Sequence, residues 1–388
     1  MIARISILLL VVTLLPDLYI YKRYVRSRLG IRPWQLLMWW LPTSIVLAFT
    51  AAYSMMSNFA PDNIDVFNAY LFALGLIVVT KLLFTLFSLG GRLVRRLTHG
   101  RTNWGNYVGM VVVLGWLYVL FTGSIIGPER LRVKHVTLEF DSLPKAFDGF
   151  SIAHISDLHL GTMRPDLSNR LVAEINALHP DIIAFTGDIQ NMRPSELPPH
   201  AAALSQLRAT DGVFSILGNH DYTEYVHNLS DAEKHHDEHL TQLFERSVGW
   251  HLLLNESVVL RRGADSLVVA GTENDGLPPF PEKSNYKSAL HGIQPSAFVV
   301  MLQHDPSAWR RHILQLNNVW LTLSGHTHGG QMSLLGIRPT QLTGREDAGL
   351  YRDGAHYLYV STGVGGFLHF RFHMDPEIVL ITLKCKQQ

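Results

Sequence analysis

Apolar positions along this chain follow two patterns, and the pattern changes near Gly127. Before that point, four stretches at about 3–20, 34–57, 68–90 and 107–127 each approach the roughly 20 apolar residues that cross a bilayer as a helix. After it, apolar runs are short, and each enters a polar or glycine-rich turn. They are Ser151–Ile155, Ile182–Thr186, Val213–Leu217, Leu267–Ala270, Phe298–Gln303, Val319–Leu323 and Tyr357–Val360, all read as strands. Leu167–Leu178 has helical spacing and stops before His179-Pro180. Strand, turn and helix in alternation predict a layered α/β domain with central sheets covered by helices.

The domain boundaries expected from this pattern are a four-helix membrane region at 1–127, a linker and first strand at 128–150, and a soluble domain at 151–388. Four buried core helices are the alternative for the first region. Trp34, Trp39, Trp40, Trp104 and Tyr107 favour the membrane, because such rings suit a lipid–water interface. The first stretch has only Arg4 ahead of it and no small-residue cleavage site after it. A retained helix kinked at Pro16 therefore fits better than a signal peptide.

Basic residues orient the region. Lys22, Arg23, Arg26, Arg28 and Arg32 fall between the first two helices, and Arg92, Arg95, Arg96 and Arg101 between the last two; Asp62 and Asp65 occupy the remaining connection. The positive-inside rule puts both basic connections in the cytoplasm and the soluble domain outside, by nine residues against Arg130, Arg132 and Lys134. The expected location is a bacterial inner membrane with an extracytoplasmic catalytic domain. Lys81, alone in the third stretch, is expected to meet a polar group inside the bundle, and no other intramembrane charge is evident.

At 388 residues and a net charge of +1, nothing global points to a nucleic-acid partner. The single cysteine, Cys385, excludes an internal disulfide and zinc-finger chemistry. The candidate chemistry lies in Asp157, His159, Asp188, Asn219, His220, His304, His326 and His328, which sit in short motifs where strands end. Open α/β folds build their sites at such strand ends. An Asp-x-His at a strand end is expected to point both side chains one way, as alternate residues of an extended chain do. Asp188 offers two oxygens able to bridge two cations. Nitrogen and oxygen ligands without thiolate suit manganese, iron or zinc better than magnesium or calcium. Each motif alone is weak, and only the ordered set is specific; it predicts two divalent metal ions side by side, a device for hydrolysing phosphate esters. His220, next to Asn219, is placed to protonate a leaving oxygen, or else to brace a turn.

Asp-x-His, Gly-Asp, Gly-Asn-His-Asp, a lone His and Gly-His-x-His, in this order over about residues 132–384, resemble the calcineurin-like metallophosphoesterase superfamily. The flanking text around Ser156–Gly161 and Leu323–Gln331 more narrowly resembles its bacterial membrane-anchored branch. The resemblance implies a four-layered α/β/β/α sandwich. It implies that Asp157, His159 and His328 hold one metal and Asn219, His304 and His326 the second, with Asp188 between them. The family often has Gly-Asp-x-x-Asp, its last Asp orienting the acid histidine; this chain has Asn191 there, which accepts a hydrogen bond without charge. The branch includes UDP-diacylglucosamine hydrolases, whose substrate is made on the cytoplasmic side, against the orientation read above.

Three segments remain. Residues 221–250 are expected to be helical and to cap the site. His235, His236 and His239 within them read as a solvated helix face rather than a further metal site. Arg371 either contacts a substrate phosphate or braces the glycine loop of Tyr359–Gly366. The chain thus reads as a membrane-bound phosphoesterase acting on a phosphodiester or phosphomonoester of a lipid or cell-envelope compound, with the bilayer as its surroundings. The alternative is a non-catalytic membrane docking protein on the same fold.

Overall fold

The computed structural model describes residues 5–26, 32–56, 58, 63–344 and 346–386. Arg4, Arg28 and Asp62, weighed above for targeting and orientation, lie outside the described residues. Two compact units result, Met1–Ser124 and Ile125–Gln388.

In the first unit the apolar stretches form helices α1 (Ser6–Ile20), α2 (Pro33–Ser54), α3 (Ile64–Leu97) and α4 (Trp104–Phe121). Among the described residues three helices are long and apolar enough to cross a membrane: α2, α3 and α4 extended to Glu129. α3 is 34 residues long, well beyond the 68–90 expected. Its start is set by Asn63, whose Oδ1 accepts from Val66 N at 3.0 Å. Its last turns include Arg92, Arg95 and Arg96, so these are not loop residues. Arginine is a good helix former and cations are favoured at a helix C-terminus, so the helix outlasts its apolar part.

Lys81 does meet a polar interior. Its Nζ lies 2.5 Å from Asp17 Oδ1 and 2.9 Å from Thr43 Oγ1, and Thr43 donates to the other Asp17 oxygen. Asp17 on α1 is therefore a second charge in this unit, missed because it sits near the end of the first apolar stretch. A buried carboxylate and ammonium persist together because each satisfies the other.

The second unit contains two six-stranded sheets. The first has the order β1 (Arg132–Phe140), β12 (Glu377–Cys385), β2 (Ser151–Ile155), β3 (Ile182–Phe185), β4 (Val213–Ser215), β5 (His251–Leu252). The second runs β10 (Gly349–Asp353), β11 (His356–Val360), β9 (Val319–Ser324), β8 (Phe298–Leu302), β7 (Asp265–Gly271), β6 (Glu256–Arg262). β2, β3 and β4 are mutually parallel, as are β7, β8, β9 and β11. β3 and β8 are buried throughout, which is why they read as unbroken apolar runs. β6 and β10 close the second sheet as edges; their exposed and charged positions hid them from the sequence pattern.

The sheets face each other across Leu138, Ile152, Phe214, Leu267, Phe298 and Leu323. On the outer face of the first sheet lies α5 (Pro165–Ala177), which buries Leu171, Val172 and Ile175 against Ile183 and Phe185. Outside the second lies α7 (Ser307–Arg311), whose Trp309 packs on Val268 and Val299. Four layers, α/β/β/α, follow, as expected. Each large aliphatic or aromatic side chain buried here contributes about 1.5–3 kcal/mol.

Between them in sequence is α6 (Asp231–Ser247), started by Ser230, whose hydroxyl accepts from Glu233 N. Ahead of it in the segment expected to cap the site, the Tyr225 ring stacks on His220 at 4.3 Å. The inner face of the helix, Asp237, Thr241 and Glu245, is buried, and Thr241 donates to Gln190 Oε1 at 2.9 Å, which ties the helix to the loop after β3. His235, His236 and His239 point outward and belong to none of the potential metal-holding groups among the described residues.

Glu245 is fully buried and neither carboxyl oxygen has a hydrogen-bond partner among the described residues. Burial, reinforced by Asp221, raises its carboxyl well above the ordinary 4.5. An acid whose folded-state affinity for its proton is raised stabilises the fold below its unfolded value and loses that contribution as the pH climbs through the folded value. Glu245→Gln is expected to raise the unfolding temperature at pH 8, by on the order of 1–3 kcal/mol of stability, and to leave it nearly unchanged at pH 4. Thermal scans at the two pH values check this.

Candidate metal centre

The C-terminal ends of β2, β3 and β4 in one sheet, and of β8 and β9 in the other, each lead into a turn that carries a candidate ligand. These turns are tight. Asp157, His159, Asp188, His326 and His328 have φ of 52°, 46°, 60°, 73° and 51°, a left-handed backbone that Asp and His tolerate better than most residues. Asp157 and His159 are thus not in extended chain, and the alternation argued from the sequence is not what aligns them. A turn held by main-chain bonds does so, with Asp157 N donating to Gly187 O at 2.9 Å and His159 N to Asp188 O at 3.1 Å. Left-handed residues gathered at one spot carry strain of about 1–3 kcal/mol each, and such strain is characteristic of functional sites. Gly325 is required by close approach: a Cβ there would strike Ser156 Oγ and the Asp157 carboxylate.

The eight candidate side chains converge. His159 Nε2 and His328 Nε2 are 3.2 Å apart, and Asp157 Oδ1 is 3.5 Å from His328 Nε2. Asn219 Oδ1 lies 2.7 Å from His326 Nδ1 and 3.1 Å from His304 Nε2. Asp188 Oδ2 stands between the two sets, 3.2 Å from His304 Nε2 and 3.8 Å from His159 Nε2. Asp157, His159, Asp188, Asn219 and His304 are buried.

Burial lowers His159 to about 3, leaving its ring a neutral lone-pair donor. His304 goes the other way: burial opposes its charge, but Asp188 and Asp157 raise it to about 10. A field that holds a proton on His304 also attracts a metal cation, in competition with that proton. Three clusters, Asp157/His159/His328, His159/Asp188/His220 and Asp188/His304/His326, bring their ligand atoms within 4.8 Å of one another. Neutral imidazoles, carboxylates and an amide oxygen, without thiolate, suit a pair of divalent transition cations.

His220 adjoins this group without joining the Asn219 cluster. Its Nδ1 donates to the main-chain carbonyl of Asn191 at 2.6 Å, and its ring stacks on Tyr225 at 4.3 Å. The acceptor is therefore the Asn191 backbone. The Asn191 side chain, expected to take this role, is buried, and its Oδ1 has no hydrogen-bond partner among the described residues. Any residue at 191 offers that carbonyl, so this contact does not depend on the side chain there.

Arg371 takes the bracing role. It is buried, its Nη1 donates to Thr362 O at 2.5 Å and its Nη2 to Gly365 O, and Nη2 lies 3.2 Å from His328 Nδ1. These contacts hold its guanidinium beside His328.

Asp221, quoted in Gly-Asn-His-Asp but given no role from sequence, proves central to the architecture. Its Oδ2 accepts from Gly218 N and Asp188 N, both at 2.8 Å, and its Oδ1 from Ile189 N at 3.0 Å and Gln190 N at 3.3 Å. Its carboxylate clamps the turn after β3 to the turn after β4. The signal was available: an acid two residues beyond a candidate ligand at a turn favours main-chain N–H groups. Beside His326 opens a cavity of about 250 Å³ lined in part by Phe280, Asp305, Thr340 and Thr343.

Comparison with known proteins gives two family matches: "Probable Calcineurin-like phosphoesterase, transmembrane domain" over residues 3–128, and "Calcineurin-like phosphoesterase" over residues 150–330. A zebrafish (Danio rerio) transmembrane protein with metallophosphoesterase domain is 28% identical, over 96% of this chain and 87% of its own length. An uncharacterized metallophosphoesterase of Aquifex aeolicus is 30% identical, over 66% of this chain and 93% of its own. The UDP-2,3-diacylglucosamine pyrophosphatase LpxG of Chlamydia trachomatis is 29% identical, over 69% of this chain and 93% of its own.

Proposed function

We infer, since the chain belongs to the calcineurin-like metallophosphoesterase family and carries that family's transmembrane domain, that it hydrolyses a lipid-linked or cell-envelope phosphoester at a two-metal centre. The observation that carries this reading is Asp188 Oδ2, placed within 3.2 Å of His304 Nε2 and 3.8 Å of His159 Nε2 and so between two complete ligand sets. In this reading Asp157, His159 and His328 hold one cation, Asn219, His304 and His326 the other, and Asp188 both. Manganese, iron and zinc suit these donors. A bound pair supplies a water acidic enough to attack at neutral pH and a positive field for the phosphoryl oxygens.

The chain's own groups do the rest. Asp221 and the left-handed turns fix the ligand atoms before substrate arrives. His220, held by the Asn191 carbonyl through Nδ1, presents Nε2 as the atom for proton transfer to the leaving oxygen. His220→Ala is expected to slow hydrolysis of an alkyl phosphoester by about 10²-fold while changing that of a p-nitrophenyl ester, whose leaving group needs no proton, far less. Equal losses on both esters would remove the acid role.

The domains of this proposal are the membrane region 1–127, the connecting segment and first strand 128–150, and the catalytic domain 151–388. Arginines at the end of α3 support a cytoplasmic end there, and with it an extracytoplasmic catalytic domain in a bacterial inner membrane. The name of the chlamydial relative supports an amphiphilic phosphoester as substrate. A C-terminal reporter fusion active only in the cytoplasm would overturn the compartment and favour a nucleotide-linked lipid.

A further inference from the structure

In the second unit the turn that ends at His328 continues, six residues later, into a small hairpin that the metal centre does not use. Leu334 and Ile337 exchange both main-chain hydrogen bonds, at 2.9 and 3.0 Å, leaving Leu335 and Gly336 as a two-residue tip. Their φ values are 52° and 84°. Such a tip normally takes Asn-Gly or Asp-Gly, because an ordinary side chain strains the left-handed backbone. This chain puts leucine there and leaves it 95% exposed. Leu342, Ile337 and Leu334 beside it are 86%, 65% and 54% exposed. The fold covers less than half of each of these four side chains, and it keeps one of them in a disfavoured conformation. Strain combined with concentrated apolar exposure marks a surface made for something else.

What that surface meets follows from its chemistry and its connection. Between Met332 and Gly344 the only charged residue is Arg338, and Asp347 neutralises it with bonds of 2.7 and 2.9 Å. The adjacent segment, joined to the hairpin base by Ser333 N donating to Phe372 O at 2.8 Å, presents half-buried Phe367, Leu368 and Phe370. Aliphatic tips flanked by aromatic rings suit the boundary between lipid headgroups and acyl chains. Ser124, the last residue of the membrane unit, is eight residues before Arg132, the first of β1, so the second unit is tethered to the bilayer by a short stretch of chain.

We propose that the Leu334–Ile337 hairpin, with Leu342, inserts into the lipid surface. Insertion would hold the metal centre at the headgroup level, so that an acyl-anchored phosphoester reaches it without leaving the bilayer. The insertion rests on the hairpin alone; only this consequence rests on the hydrolase reading. The test uses the full chain with Cys385→Ser, carrying Leu335→Cys or, as a control on the exposed end of α6, Ser247→Cys. Each variant is labelled with an environment-sensitive nitrobenzoxadiazole probe and reconstituted in phosphatidylcholine–phosphatidylglycerol vesicles.

The expected result is a blue-shifted emission at 335, quenching by a doxyl group about 5–10 Å below the headgroups, and protection from aqueous iodide that position 247 lacks. Equal iodide quenching at both positions overturns the proposal. Protection at 335 without doxyl quenching also overturns it, since a protein surface would then cover the hairpin. Neither readout depends on catalysis, so loss of activity and failure of insertion are told apart.

Discussion

Asp188→Asn is expected to lower phosphoester hydrolysis by about 10³-fold or more, because the bridging charge contributes several kcal/mol of field to the transition state and about 1.36 kcal/mol corresponds to a decade in rate. The substitution keeps size and shape. It keeps one oxygen that can accept from His220 N, now 2.8 Å from Oδ1. What it removes is the negative charge at Oδ2, the atom facing both ligand sets. Burial disfavours this charge, but His304 and His220 hold the carboxyl well below its ordinary range, so the variant gives up some stability along with the charge. Metal affinity should fall with activity, from two ions to at most one held tightly. Purified variant and parent, compared by metal analysis and by steady-state rates on the same ester, separate a lost charge from an unfolded domain.

Asp221→Asn is expected to be worse for the fold than any ligand substitution. Four main-chain N–H groups aim at this carboxylate, two at each oxygen. Whichever way an amide is turned, its NH₂ faces two of them and leaves both buried and unpaired. Each unmade bond costs roughly 1–3 kcal/mol, so about 3–5 kcal/mol of stability should go. The two turns that lose their clamp carry Asp188, Asn219 and His220, so metal binding should weaken in the same variant. Denaturant unfolding of the detergent-solubilised protein reads the first effect and metal retention the second. A variant as stable as the parent would show that the clamp is held by other contacts.

Much of this was legible in sequence where a residue's role follows from local chemistry. The unbroken apolar runs of β3 and β8 announced buried parallel strands, and ligand types at strand ends announced the convergence. What stayed hidden depended on the fold. Asp17 looked like the polar end of an apolar stretch until Lys81, 64 residues away, came beside it. Edge strands β6 and β10 lack the apolar signal because one side of each meets solvent. The extended-chain argument for Asp157 and His159 gave the right neighbours through the wrong geometry, since left-handed φ has no signature in an Asp-x-His pair. Position 191 suggested a weakened acid histidine. The contact is to a main-chain carbonyl, and a sequence carries no label for which carbonyl points where.

The central claim is a centre that works with two metal ions, and the most direct test is to titrate manganese into the chelator-treated full chain while following hydrolysis of bis-p-nitrophenyl phosphate. The structure predicts no activity without metal, full activity only as a second equivalent binds, and none in Asp188→Asn at any manganese concentration. Hydrolysis that persists in the stripped protein, or that saturates at one equivalent and survives Asp188→Asn, would contradict it.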